Sequence, residues 1–334
     1  MKIKNILIIS IIFLLASCQS NDFKIDVSNI EVDLQFERFD KDFFSINPDS
    51  IYIEIPRLQE QYGDFFNLYN YEIIGVGSPE EITYNQNVKE FVDYCKLNGI
   101  VEKVNSTFPD DHEIKEKITE AFKHYKYYFP EKEIPIVYTC ISGFNQSLFT
   151  NEGYLGISLD KYLGTNYKVY TQLGLEQYMK FKMHKNMIPV DCMRAWSMAE
   201  FPPDYSNNTM LDNMIYEGRI QYFINSTLPE IHDTLKWGYT YQQFMWVNKH
   251  ERKIWDYLIE GKLLFSTKSI EIKTFTGEAG FTSPFHRISA PRAGTWVGYQ
   301  IVKSYMDSHK NISLQELMEI TDYMKIYNES RYNP

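Results

Sequence analysis

Residues 188–201 read IPVDCMRAWSMAEF, and this stretch decides how the second half of the chain is interpreted. Its apolar residues recur at helical spacing, which predicts a helix over residues 189–200. Asp191 and Arg194 stand three positions apart, so both charges lie on one face of that helix. Two opposite charges on a largely apolar helix raise the question of what they face.

A second helix is predicted over residues 209–225, with Asn208-Thr209 at its N-cap. It carries Glu217-Gly218-Arg219, and Gly218 would let a neighbouring helix approach closely. Two such helices resemble the layout of the gluzincin metalloproteases. There the first helix carries a His-Glu-x-x-His motif and a later glutamate is the third zinc ligand. Glu217 matches that third-ligand position.

The two histidines of that layout have no match in this chain. If Val190 takes the first histidine position, Arg194 takes the second; if Asp191 takes the first, Ala195 takes the second. Neither register provides two imidazoles, and an arginine cation repels zinc. We therefore predict a zincin-like helical domain without metal or cofactor. In it, a buried, hydrogen-bonded charge cluster of Asp191, Arg194 and Glu217 replaces the metal site.

Other enzyme motifs fail at their spacing. Neither His112-Glu113 nor His250-Glu251 is followed by the second histidine of the zinc motif. Ser158 and Lys161 match Ser-x-x-Lys, but the residues that follow disfavour the substantial helix which that motif requires. The seven histidines are isolated from one another in sequence. The chain is accordingly predicted not to be an enzyme.

The N-terminus predicts the compartment. Lys2 and Lys4 precede an apolar run that is shorter than the roughly 20 residues of a membrane-spanning helix and typical of a signal peptide. Leu15-Ala16-Ser17-Cys18 resembles the bacterial lipobox. We predict a signal peptide at residues 1–17 and a tether at 18–30 that begins with a Cys18 carrying acyl chains such as palmitate. A single globular domain, or two tightly packed lobes, would occupy residues 31–334.

The charge of the chain bears on its partners. The formal charge is −10, and the leader removes two lysines and no acidic residue, so the mature chain is two units more negative. This negative charge disfavours nucleic acid as a binding partner. We expect a lipid-anchored, periplasm-facing protein on the outer membrane, with the inner membrane as the alternative, and other envelope proteins as partners. Three cysteines follow Cys18, namely Cys95, Cys140 and Cys192, so they cannot all pair with one another. The sequence leaves open whether two of them form a disulfide.

Helical periodicity dominates the rest of the chain and predicts a mainly α protein (α+β) with a small sheet in its first half. The strand candidates are residues 134–141 and 153–159. The predicted helices are 87–97, 111–128, 169–183, 189–200, 209–225, 240–261, 292–308 and 313–324.

At the scale of the whole chain, the order of motifs resembles the GldB family of gliding-motility lipoproteins. The motifs are the lipobox, ERFDKDFF (37–44), Gly143-Phe-Asn145, the VDCMRAW helix, the EGR helix and PRAGTWVGYQIVKSY (291–305). The resemblance implies a cell-envelope lipoprotein that gliding requires and that is linked with type IX secretion. It implies no established enzymatic activity.

The last of these motifs predicts a helix that Pro291 opens at its first position. Gly294 and Gly298 leave a flat strip along which another helix can pack. Arg287 and Arg292 are candidates for a groove that also contains Glu217. The leading hypothesis is a non-catalytic pseudo-protease, a protease-like scaffold without its metal site. The alternatives are an active metal-dependent envelope hydrolase and a purely structural assembly subunit.

Overall fold

The computed structural model describes residues 23–47, 50–204 and 207–334. Within them it has fifteen α-helices and a four-stranded sheet that lies in the first half of the chain. The predicted mainly α fold with a small early sheet is confirmed. The predicted signal peptide and Cys18 lie outside the described residues.

The elements are β1 Phe36–Glu37, α1 Phe39–Phe44, α2 Ile51–Leu68, α3 Tyr84–Leu97, α4 Ile100–Thr107, α5 His112–Tyr128, β2 Ile136–Cys140, β3 Leu148–Asn151, β4 Tyr154–Ser158, α6 Lys168–Gln172, α7 Gln177–Phe181, α8 Ile188–Glu200, α9 Met210–Thr227, α10 Asp233–Trp237, α11 Tyr241–Glu260, α12 Ser269–Thr276, α13 Ala293–Ser308, α14 Leu314–Glu319 and α15 Tyr323–Ser330.

The sheet has the strand order β1-β2-β4-β3. The two predicted strands are β2 and β4, and they pair in parallel with Val137 opposite Leu155. Because parallel neighbours need a crossover connection, the chain leaves β2, forms β3 and returns as β4. β3 pairs antiparallel with β4 across a two-residue turn and lies at the outer edge of the sheet.

Aromatic rings attach the first two helices to this sheet. Phe39 of α1 makes edge-to-face contacts with Phe65 of α2 and with Tyr69, at ring-centroid distances of 5.1 and 4.8 Å. Phe65 also stacks on Tyr138 of β2 at 4.2 Å. The Tyr69 hydroxyl donates a 2.7 Å hydrogen bond to the carbonyl of Ile141, just beyond β2. These rings bury large apolar areas in preferred edge-to-face and stacked geometries, which hold α1 and α2 against the sheet.

The second half is built around α9, in which fifteen of eighteen residues are buried. Such a helix needs partners on every side, and α13 is the closest. A β-carbon on Gly298 would overlap the carbonyl of Met214, and one on Gly218 would overlap the backbone of Gly298. The two glycines therefore allow the helix backbones to touch. Both had been predicted to permit a close approach.

Arg219 ties the C-terminal helices to α9. Its guanidinium donates to the carbonyls of Leu317, Met318 and Ile320 at 3.1, 3.1 and 2.6 Å, and to the Tyr323 hydroxyl at 3.0 Å. These carbonyls belong to the end of α14, where backbone acceptors have no partner inside the helix. A buried cation at that end satisfies them and complements the helix dipole.

Three details of the predicted helices are wrong. The segment 169–183 is two short helices, α6 and α7, because Gly174 takes a left-handed φ of 72° between them. The segment 313–324 breaks after α14, and the Asp322 side chain caps a new helix, α15. Pro291 does not open α13, since Arg292 is the N-cap, with a left-handed φ of 53°. The first two breaks follow from local groups, a left-handed glycine and a capping aspartate, which the apolar periodicity does not register.

The three cysteines are free and buried in the structure. Burial raises the pKa of the Cys95 thiol to about 12 and also raises the pKa values of Cys140 and Cys192. Since the thiolate is the reactive form, these side chains act as core residues.

Gly298→Ala is expected to lower the free energy of unfolding by about 2–3 kcal/mol, because the new methyl group forces α9 and α13 apart. Urea denaturation measures the change. Gly280→Ala is the matched control, since a β-carbon there would come no closer than 3.6 Å to Tyr178. Equal losses in the two variants would contradict the close helix contact.

Candidate functional site

The two helices singled out in the sequence are joined by an ion pair. Arg194 of α8 donates from Nη2 to Oε2 of Glu217 in α9 at 2.5 Å, and the two side chains are 24% and 16% exposed. Burial opposes the charge of Arg194, but the carboxylates of Glu217, Glu278 and Asp191 together outweigh this effect and raise the pKa of the guanidinium. Arg194 and Glu217 are therefore brought together as a charged pair.

Asp191 is not hydrogen-bonded to that pair. Its carboxylate instead accepts a 2.9 Å hydrogen bond from the Tyr162 hydroxyl. Burial raises the pKa of Asp191 to about 6, although the Tyr162 bond and the nearby cations Lys182 and Arg194 act in the opposite direction. The three predicted residues thus form an ion pair with a separate, weakly acidic carboxyl beside it.

A second ionic group lies next to Asp191. Glu278, in the loop between α12 and α13, is 2.5 Å from Nζ of Lys182 and 3.6 Å from Nε of Arg292. Burial alone would raise the pKa of Glu278, but Arg292, Lys182 and Arg194 together lower it to about 2. Glu278 is accordingly ionised at any physiological pH and serves as the common counter-ion of these cations.

This ionic group lies where two cavities meet. The larger, of about 410 Å³, lies between α7, the start of α11 and the loop before α13, and Arg292 lines it. The smaller, of about 210 Å³, reaches Asp191 and Tyr162. Tyr178, Lys182 and Glu278 line both. We call the two together the α8 cleft, with an outer chamber at Arg292 and an inner chamber at Asp191.

The two arginines predicted to line a groove have different positions. Arg292 is 6% exposed and lines the outer chamber, and its Nη2 donates to the Trp237 carbonyl at 2.7 Å. Arg287 is exposed and lines neither chamber. Among the described residues, no three histidine, cysteine or acidic side chains are grouped so that they could hold a metal ion.

With this geometry established, we compared the chain with known proteins. A family model described as "Gliding motility protein GldB" matches residues 20–334. The chain belongs to this GldB family. It is therefore a gliding-motility lipoprotein associated with the cell envelope. No curated protein and no solved structure matches it. In the described part of the chain, no helix has the length and hydropathy needed to span a membrane.

In this GldB-family chain the Gly143-Phe-Asn145 motif forms a strained loop near the cleft. Gly143 and Phe144 both take positive φ values, 67° and 68°. The buried Asp160 carboxylate holds the loop by accepting from the backbone N–H groups of Ser142 and Phe144 at 3.0 and 2.6 Å. Lys161, which lines the inner chamber, donates to the Phe144 carbonyl. A bulky residue in the left-handed region stores strain that such contacts offset.

Sequence reasoning missed Lys182, Glu278 and Tyr162. Lys182 and Glu278 are 96 positions apart and lie outside the helices, where no periodicity marks a residue's direction. Tyr162 was one of 26 tyrosines without a distinguishing pattern. One signal was available: Asp191 is a carboxylate on a largely apolar helix, which implies a buried polar partner.

The raised pKa of Asp191 predicts a pH-dependent stability. The folded-state pKa of about 6 lies above the ordinary value of 3.8, so Asp191 stabilises the fold below the ordinary value and this contribution is lost as the pH rises through about 6. Asp191→Asn stays neutral. The variant should match the parent near pH 4 and exceed its free energy of unfolding by about 2 kcal/mol near pH 7.

Thermal and urea unfolding from pH 4 to pH 8 measure this difference. Asp64→Asn, at an exposed position on α2, is the control and should follow the parent at every pH. A pH-independent difference between Asp191→Asn and the parent would contradict the assignment.

Proposed function

We propose that this chain is a non-catalytic component of the gliding machinery, associated with type IX secretion, in which the α8 cleft binds an extended segment of another envelope protein. The chain would be anchored through Cys18 to the outer membrane and would face the periplasm. The observation that carries its non-catalytic part is the Arg194–Glu217 ion pair between α8 and α9.

The ion pair supports a pseudo-protease because of where it lies. In the metalloprotease layout that the two helices resemble, a metal joins the first helix to the glutamate of the second. In the register that places Val190 at the first histidine position, Arg194 takes the second, and Glu217, at the third-ligand position, is its counter-ion. A guanidinium carries no lone pair for a metal. The pair joins the same two helices without one.

The cleft supports a binding role because it is concave and lined by charged and polar side chains. Tyr178 and the ionic group of Lys182 and Glu278 lie between two chambers of different depth. Ligand sites in proteins are typically concave, and a small number of polar groups inside them fix the orientation of the ligand. Two adjoining chambers can hold successive side chains of an extended polypeptide, whereas a flat protein surface would leave them unfilled.

The hydrolase alternative has one specific observation in its favour. Asp191 lines the inner chamber, its pKa is raised to about 6 by burial, and it is hydrogen-bonded to Tyr162. A carboxyl group in that range suits general acid or base catalysis. Peptidase activity that Asp191→Asn abolishes would favour the hydrolase, and one tightly held zinc ion per purified chain would contradict the non-catalytic proposal.

The proposal predicts that the Arg194–Glu217 ion pair holds α8 against α9 and takes no part in catalysis. Arg194→Met leaves the Glu217 carboxylate part-buried without its cation and is expected to cost about 2–3 kcal/mol. Arg194→Met combined with Glu217→Leu removes both charges and should recover most of that loss, together with gliding in a complemented deletion strain. Unfolding curves and colony spreading measure the two effects.

Arg57→Ala, which breaks an exposed ion pair on α2, is the control and should change stability by less than about 1 kcal/mol. Loss of gliding in a stable double variant would show that these charges have a role beyond holding α8 to α9.

A second prediction separates a binding cleft from a purely structural subunit. Met179 and Met198 are 38% and 39% exposed, but only Met179 lines the cleft, in its inner chamber. Met179→Trp should fill that chamber and abolish gliding while the protein stays folded and membrane-bound, because a volume of about 210 Å³ cannot hold both an indole and a peptide side chain.

Met198→Trp, the matched control on α8, should leave gliding unchanged. Colony spreading, protein abundance and membrane fractionation are compared for the two strains. Identical behaviour of the two variants would contradict a function for the cleft.

A further inference from the structure

We infer that the α8 cleft recognises the free C-terminal carboxylate of an extended polypeptide, which binds between Lys182 and Arg292 in place of Glu278 and runs antiparallel to β3. The inference rests on the proposed function, since it names the segment that the cleft binds. It is carried by three independent features of the structure.

The first feature is a carboxylate that another carboxylate can replace. Glu278 belongs to a loop, its side chain is 50% exposed, and it lies against two cations, Lys182 from the segment after α7 and Arg292 from the end of its own loop. The lowered pKa of Glu278 shows that the position favours negative charge. If Glu278 turns towards solvent, the cations keep an empty site of matching charge and geometry. Charge-assisted hydrogen bonds to an incoming carboxylate are about twice as strong as neutral ones.

The second feature is an unsatisfied donor in the wall of the outer chamber. Arg292 is 6% exposed, and its Nε makes no hydrogen bond, even to Glu278, which stands 3.6 Å away. A buried donor without an acceptor costs about 1–3 kcal/mol, and this one lies beside a cavity. A ligand carboxylate that accepts from Arg292 Nε and from Lys182 Nζ would remove that cost.

The third feature is the direction of the edge strand. Ser158 N–H donates to the Ser147 carbonyl, and β3 and β4 pair residue by residue from there. In an antiparallel ladder the residues that point towards the neighbour alternate, so the backbone groups of Leu148 and Thr150 point away from β4. The one side-chain hydrogen bond to these groups among the described residues is from Gln146 to the Leu148 carbonyl. Leu148 and Thr150 are half-buried, and strand edges whose backbone groups are unpaired can accept an added strand.

The edge strand and the cations meet at the inner chamber. Ser147, the residue before β3, lines that chamber together with Lys182 and Glu278. A segment running antiparallel to β3 therefore has its C-terminal end at Ser147, next to the cations. A parallel segment would bring its positively charged N-terminus there instead. Met179 and Met183 line the same chamber and offer an apolar wall to a side chain near the terminus.

The test uses the full-length lipoprotein in detergent and two sets of labelled peptides. Each peptide reads Thr-Val-Thr-Val-Thr followed by Leu, Ile, Phe or Lys, with a free C-terminal carboxylate in one set and a C-terminal amide in the other. Fluorescence anisotropy measures their binding. The best acid should bind about tenfold more tightly than its amide, which corresponds to about 1.4 kcal/mol.

Two substitutions test the ionic group. Glu278→Gln removes the internal competitor and should tighten binding of the acid about fivefold, whereas a purely structural Glu278 would give a less stable protein with no gain in affinity. Lys182→Gln should weaken binding of the peptide acid about tenfold, so that the acid and the amide bind with equal affinity. Lys185→Gln is the matched control: this lysine is paired with Glu113 and lies outside the cleft, so both affinities should stay unchanged.

The outcomes also separate this inference from the proposed function. Equal binding of acid and amide would overturn carboxylate recognition, while loss of gliding in Met179→Trp would still support a binding cleft. Weaker binding of the acid to Glu278→Gln, or no binding of any acid to that variant at about 1 mM, would likewise overturn the inference. If both Met179→Trp and Lys182→Gln left gliding intact, the proposed function would fail as well.

Discussion

The contact between Gly218 and Gly298 is the constraint on which the rest of the second half depends. Successive residues of a helix point about 100° apart, so Glu217, Gly218 and Arg219 face three directions from one turn of α9. Gly218 meets the backbone of α13, Glu217 meets Arg194 of α8, and Arg219 holds the end of α14. Because the glycines set the distance and rotation of α9 against α13, they also set where its two charged neighbours point.

Two charged residues of α8, Asp191 and Arg194, belong to groups with different roles. Arg194 and Glu217 hold two helices at a defined distance, and because one partner alone would be stranded away from water, the pair penalises any slip of α8 along α9. Asp191 lies one turn away but is hydrogen-bonded to Tyr162, and burial leaves it a weak acid. The structure thus separates a permanent ion pair from a titratable carboxyl over a single helical turn.

The α8 cleft differs in charge from the molecule that carries it. The chain has a formal charge of −10, yet the cleft is lined by as many cations as acids. The cations are Lys161, Lys182 and Arg292, and the acids are Glu176, Asp191 and Glu278. An anionic ligand is repelled by the overall charge at long range, but salt at physiological strength screens that field within about 8 Å. Under the proposed function, selectivity would then depend on the few charged groups inside the cleft.

The sequence by itself determined the class of fold, most helices, two of the four strands and the proximity of α9 to another helix. Periodicity and glycine placement carry that information locally: helical spacing over residues 111–128 was enough to predict α5, and the strand pattern at residues 134–141 was enough to predict β2. The order of motifs also pointed to the family that residues 20–334 match. Spacing on α8 and α9 was sufficient to suggest that Arg194 and Glu217 face each other.

Only the tertiary structure decided the partner of Asp191, the counter-ion role of Glu278 and the edge position of β3. Each depends on groups far apart in sequence: Lys182 and Glu278 come from loops on opposite sides of α8, and β3 is a four-residue strand with no pattern of its own. A loop has no fixed period, so its side-chain directions follow from the elements it connects. The sequence therefore predicted the scaffold, and the cleft became visible only when the scaffold brought its loops together.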